Sequence, residues 1–166
     1  YPDMICEILG LVEKIFSPLQ KVLVKLSPFT NPAELAKVAA VINKFSCVLG
    51  VTSSNTFPNV RIVHPDGKPC ITPNNGLAGM SGPVMKPLGL GQVFQLRSLL
   101  KKEIHIIGAG GISTGQDVLD YRHCGADAVQ VVSRFFLESD NPDCFGRIAA
   151  EYAELVEQQT PAQTPT

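Results

Sequence analysis

Ile106-Ile107-Gly108-Ala109-Gly110-Gly111-Ile112-Ser113-Thr114-Gly115-Gln116-Asp117 carries the chain from an apolar run, through a glycine-rich turn, into a helix. Ile104 to Ile107 reads as a buried strand, Ser113-Thr114 supplies helix-capping hydroxyls, and the helix stops with Gly125 in the C′ position. A strand, glycines and a helix in succession invite a dinucleotide reading. Ser113, however, stands where the third glycine of G-x-G-x-x-G belongs, which weakens the Rossmann option. Two readings of the glycines stay open: a tight turn, or backbone N–H groups brought up to a phosphate at a helix N-terminus.

Reading outward from this stretch, the same alternation recurs. On its C-terminal side, Ala128 to Val132 is a further strand ending at Val132-Ser133, and Asp143 to Glu157 is the closing helix; 158–166 is polar, proline-bearing and expected to be a disordered tail. On its N-terminal side, Pro87 to Lys101 is a helix, and Thr52 to Gly82 is a long connection rich in Pro, Gly and Asn. Within that connection, Arg61-Ile62-Val63 and Cys70-Ile71-Thr72 flank the turn signal Pro65-Asp66-Gly67, so a small hairpin is expected there. Val48 to Val51 is another strand. Asn31-Pro32-Ala33-Glu34 opens a helix to about Phe45, with a capping residue, proline at the first helical position and an early acid. Val22 to Leu26 is the first strand, and Ile5 to Phe16 a leading helix with Ile5, Ile8, Leu9, Val12 and Phe16 on one face.

Strands that look buried on both faces and are each followed by a helix are parallel strands of an α/β fold. An open doubly wound sheet and half of an eight-unit barrel both satisfy that pattern.

Bulk properties narrow the function classes. The 166 residues are 45% apolar, enough for a core, and 14 basic against 15 acidic side chains give a net charge of -1. That balance argues against nucleic acid or an anionic membrane surface as partner. No apolar run approaches the roughly 20 residues a bilayer span needs, and no signal-peptide pattern opens the chain, so the expected compartment is the cytosol. The chain starts at Tyr1 without methionine, as a processed or truncated product would. Cys6, Cys47, Cys70, Cys124 and Cys144 are odd in number and lack metal-type spacing; most are expected to be buried thiols. His64, His105 and His123 have no partners at catalytic or metal spacing and are read as structural, and no metal site is expected.

Lys25 interrupts an apolar strand. It is either a strand-end lysine reaching solvent or a cation turned into a barrel mouth, where it could stabilise negative charge on a reduced cofactor. Ser53-Ser54-Asn55-Thr56 follows a strand, where a barrel displays its working groups, although such residues also simply make turns. Asn74-Asn75-Gly76 and Gly79-Met80-Ser81-Gly82 are either flexible loop or backbone able to approach a planar ligand.

Taken together, Val22 to Pro28, Asn55-Thr56-Phe57-Pro58-Asn59, Gly79 to Gly82 with Lys86-Pro87, Ile106 to Asp117 and Cys124 to Val131 resemble class 1 dihydroorotate dehydrogenases in order and spacing. Dihydropyrimidine dehydrogenase and dihydrouridine synthases share weaker versions. The resemblance implies a partial (β/α)8 TIM barrel, about the last four βα units, over residues 1–157. It also implies FMN as cofactor and oxidation of dihydroorotate to orotate in pyrimidine biosynthesis, with a soluble acceptor such as fumarate, in a cytosolic homodimer. By resemblance Lys25, Ser54, Gly82, Gly110, Gly111, Val132 and Ser133 bind the cofactor, and Asn55 and Thr56 bind the pyrimidine. The family's base, a cysteine in class 1, comes from a loop preceding the matched region. Cys70 does not correspond to it, so no catalytic residue is assigned here and the chain alone is expected to be inactive.

Three departures stand out. Pro58 replaces a glycine in the family's Asn-Ser-x-Gly-Asn, Ser81 stands where glycine is common, and Val132-Ser133 replaces Gly-Thr, which is expected to weaken phosphate binding without abolishing it. Two alternatives follow: a non-enzymatic remnant that binds flavin or phosphate weakly or packs on a partner, and a flavin-dependent reductase of another pyrimidine.

Overall fold

The computed structural model of the chain describes residues 1–16 and 19–159. Helix α1 (Pro2–Ile15) leads into β1 (Val22–Lys25), α2 (Pro32–Ile42) and β2 (Val48–Thr52). An excursion then carries β3 (Phe57–Val60) and β4 (Ala78–Met80), followed by a short 3-10 turn (Pro83–Met85) into α3 (Lys86–Leu99). The remainder is β5 (His105–Ala109), α4 (Gly115–His123), β6 (Ala128–Gln130), α5 (Ser133–Leu137) and α6 (Asp143–Gln159).

The main sheet is parallel throughout and runs β1-β2-β5-β6, each strand beside the next one along the main chain path. A doubly wound sheet must reverse its strand order at a switch point; this one does not, and sequential parallel order is that of a barrel wall. That removes the open-sheet alternative.

The local signals operate as their chemistry dictates. Asn31 Oδ1 accepts from Ala33 N at 3.0 Å, with Pro32 at the first helical position of α2. Thr114 and Asp117 form a reciprocal capping box on α4, and Gly125, at φ 101°, ends that helix in the left-handed region.

The core lies between the sheet and its helices. Val51 and Ile106, direct partners in the parallel register, point to the helix side and are fully buried with Leu35, Val38, Val93 and Leu96. At about 1.5–3 kcal/mol for each fully buried aliphatic side chain, this layer dominates the stability. Leu23, Lys25, His105 and Ala128 occupy the opposite face and are exposed, Leu23 at 53%. On α1, Ile5 and Leu9 are buried, whereas Ile8 and Phe16, expected on the same face, are exposed.

Other expectations are corrected. The last strand ends at Gln130, not Val132: Val132 adopts φ −131°, ψ −60° and starts the unforeseen five-residue α5. The expected hairpin is only the tip of a longer one. Its turn is present, with Gly67 N donating to His64 O and Cys70 N to Ile62 O, both at 2.9 Å, but the paired strands are β3 and β4 outside it. Helix α6 continues to Gln159, two residues into the expected tail, whose other residues lie outside the described ones. Of the cysteines only Cys47 and Cys144 are buried, and Cys70 is exposed.

Candidate functional site

The C-terminal ends of the four parallel strands meet around a cleft of about 620 Å³. Lys25 ends β1; Ser54, Asn55 and Thr56 follow β2; Gly110 and Gly111 follow β5; Val132 and Ser133 follow β6. Gly82 arrives from the excursion. All of these residues line the cleft, so every residue singled out from the sequence for cofactor or pyrimidine binding is brought to one place. Met80, Met85, Phe136 and Leu137 add apolar walls. None of the described residues lining the cleft is a Cys, His, Asp or Glu.

Lys25 is exposed at a strand end and also lines the cleft. Among the described residues its ammonium makes no ion pair, which leaves a cation free to meet an anion. Asn55 is anchored through its N–H to Leu26 O at 2.7 Å, and its Oδ1 accepts from Thr56 N at 2.9 Å. The Nδ2 donors of Asn55 are the part left for a ligand. Ser54 Oγ donates to Asn55 O at 2.7 Å, so that hydroxyl stiffens the turn.

The glycine loop differs from its sequence reading. Helix α4 begins at Gly115, and its N-terminal donors are already taken: Ser113 N and Thr114 N by Asp117 Oδ2, and Gly115 N by Glu151 Oε2 at 2.7 Å. The helix N-terminus is therefore not the anion site. Gly110 and Gly111 instead adopt φ 118° and 71°, which glycine reaches without a Cβ penalty. Beyond the β5–β6 ladder, their N–H groups have no acceptor among the described residues. Consecutive free N–H groups in such a turn suit a phosphate, and with the unpaired Lys25 they fit an anionic flavin.

Of three positioning side chains, Gln92 and Tyr121 escaped the sequence reading, and Ser53 was read only as part of the polar run after β2. Gln92, buried on α3, donates to Ser27 O at 2.9 Å and to Ser53 O, and accepts from Phe29 N at 2.7 Å, tying together the loops after β1 and β2. Ser53 is fully buried; its Oγ accepts from Ala109 N at 3.0 Å and joins the ends of β2 and β5. Tyr121, fully buried, donates to Gly110 O at 2.7 Å and reaches Ala109 O at 3.1 Å. Burial pushes its phenol well up, so it remains a donor. The signal available for Tyr121 was Gly89 inside a helix, since a Cβ there would stand 1.8 Å from the Tyr121 hydroxyl, and one at Gly108 2.4 Å from its ring.

Beneath the loop, Lys86 Nζ lies 2.5 Å from Asp117 and 2.7 Å from Asp120. Hydrogen bonding to Asp117 and then Asp120 raises the Lys86 ammonium above its ordinary value. Burial pulls both aspartates upward, but the hydrogen bonds led by Lys86 outweigh it and leave them lowered.

The family model described as dihydroorotate dehydrogenase matches residues 1–156. The probable dihydroorotate dehydrogenase A (fumarate) of Enterococcus faecalis is 37% identical over 148 residues, covering 88% of this chain and 47% of that protein. For dihydroorotate dehydrogenase A (fumarate) of Lactococcus lactis subsp. cremoris the values are 34% over 151 residues, 90% and 48%. The chain thus spans about half the length of the relatives it matches. A solved structure, DHODH of Eimeria tenella in complex with ferulenol, superposes with a TM-score of 0.66 at 22% identity, over 83% of this chain and 35% of that one, and shares the fold. Among the described residues no helix is long and apolar enough to cross a membrane.

Proposed function

Because the chain belongs to the dihydroorotate dehydrogenase family, we propose that its cleft is one part of an FMN site at which dihydroorotate is oxidised to orotate in pyrimidine biosynthesis. The observation that carries this reading is the convergence of four strand ends on one cleft with an unpaired lysine and two unpaired glycine N–H groups. FMN, when bound, supplies the two-electron acceptor.

The chain's own residues then divide the work. Gly110 and Gly111 hold the phosphate through backbone N–H groups, with Ser133 offering a hydroxyl and the Val132 side chain narrowing the approach. Ser54 and Gly82 line the flavin. Lys25 places its positive charge where the reduced cofactor carries negative charge, while Asn55 and Thr56 orient the pyrimidine through hydrogen bonds. The proton acceptor comes from outside this cleft lining, so the chain by itself is inactive. Fumarate, in the names of both relatives above, is the proposed soluble acceptor.

Titration of the chain with oxidised and with chemically reduced FMN tests the reading. Saturable binding is expected. Lys25→Met keeps the apolar stem and removes the charge, so it should weaken the reduced form about tenfold more than the oxidised form. Absence of FMN binding, or equal loss for both redox states, would overturn it.

A further inference from the structure

Tyr121 makes no contact with the cleft; it stands behind the glycine loop on the helix side of β5. Its hydroxyl engages the carbonyls of Ala109 and Gly110, which are consecutive. In a trans peptide the C=O and the N–H of one unit point in opposite directions. The unit whose carbonyl belongs to Ala109 carries the Gly110 N–H, and the unit whose carbonyl belongs to Gly110 carries the Gly111 N–H. Drawing both carbonyls back towards one phenol therefore turns both N–H groups away from Tyr121, on residues that line the cleft.

We propose that Tyr121 is a positioning residue which sets the Gly110 and Gly111 N–H groups as an anion-binding pair. The inference rests on the proposed phosphate role of that loop and adds the device that orients it. Two features of the surroundings fit this task. Gly89 on α3 and Gly108 on β5 leave the space that the Tyr121 hydroxyl and ring occupy, where a Cβ would stand 1.8 Å and 2.4 Å from them. Gly110 and Gly111 both have positive φ, a conformation with no preference of its own for a single peptide orientation in glycine. An external clamp is what selects one. A buried phenol suits this, because it cannot be displaced by water and stays protonated.

The test compares FMN with riboflavin, which presents the same ring without the phosphate. Both are titrated into the wild-type chain and into Tyr121→Phe, which keeps the ring packing and loses the hydroxyl. Tyr121→Phe should weaken FMN about tenfold while leaving riboflavin unchanged. Gly89→Ala, which pushes on the hydroxyl, should act in the same direction. An unchanged FMN-to-riboflavin ratio in Tyr121→Phe, alongside a wild-type preference for FMN, overturns the role of Tyr121. A wild-type chain that binds FMN no better than riboflavin, or binds neither, overturns the phosphate reading and this inference with it. If Tyr121→Phe does not fold, amide NMR of the wild-type chain decides: adding inorganic phosphate must shift the Gly110 and Gly111 amides, and their failure to move overturns the proposal.

Discussion

On one side of the cleft the loop after β5 is gripped from behind by the Tyr121 hydroxyl, packed on the start of α3 below and followed by a capping box; on the other, the turn at Val132-Ser133 hangs from β6, a strand of three residues paired, among the described residues, only with β5. Val132 is 61% exposed and α5 is a single five-residue stretch. The two walls would serve the same phosphate. Their difference shows where this chain is preorganised: the β5 wall holds its donors whether or not a ligand is present, while the β6 wall has few neighbours to hold it. Binding energy should therefore come chiefly from the first, and stability should respond to changes there and hardly at all to changes in the second.

The sharpest way to break the comparison is to make one small side-chain change on each side. Gly108→Ala drives a Cβ to 2.4 Å from the buried Tyr121 ring. Displacing a fully buried ring is overpacking, expected to cost about 3 kcal/mol and lower the melting temperature by roughly 6–12 °C. Val132→Ala removes exposed atoms and should stay within about 0.5 kcal/mol. Calorimetry on the two variants reads this directly, and equal melting temperatures would show that the walls are not differently held.

Next in size is the ion cluster under the β5 wall. Lys86→Met leaves Asp117 and Asp120 partly buried without their cation and should cost about 2 kcal/mol. The pH dependence has a defined sign. Asp117 and Asp120 lie below their ordinary value of 3.8, so they stabilise the fold above that value and lose the contribution as pH falls through their lowered values. Lys86 lies above its ordinary 10.5, so its contribution holds below that value and is lost as pH rises through the raised one. Denaturant unfolding of the wild type should weaken with acid below about pH 4. Lys86→Met should show a shallower acid slope, because one of the bonds lowering Asp117 is gone; an identical slope would remove the cluster from the account.

The same contrast explains what the sequence disclosed. Strand-helix alternation, the Asn31-Pro32 start, the Thr114 cap and Gly125 are local signals, and each marks a boundary the structure keeps. That the residues at the strand ends would meet was legible because barrel topology delivers strand ends to one place. The orienting residues were not. Tyr121 and Gln92 act through contacts with residues 11 to 65 positions away, and Ser53 reaches a partner 56 positions on, so nothing in their local pattern declares them. Val132 failed as a strand residue for the complementary reason: its composition favours β structure, but β6 has one paired neighbour to hold it extended.

The smallest expected effect is on the loose wall itself. The resemblance leads one to expect glycine where Val132 stands, and Val132→Gly removes a side chain that lines the cleft. Its backbone, however, sits at negative φ, so the change does not relieve a left-handed conformation. The change also adds freedom to a turn with few contacts, which binding must then order, costing about 0.5–1 kcal/mol. Against this stands one recovered charge-assisted hydrogen bond, about 1.5–3 kcal/mol. The difference, roughly 1–2 kcal/mol, predicts FMN tightened about tenfold while riboflavin, without a phosphate, changes little. Titration of both ligands checks it. FMN binding that is unchanged or weaker would mean that the β6 wall does not reach the phosphate, and that the β5 loop with its two oriented glycines holds it alone.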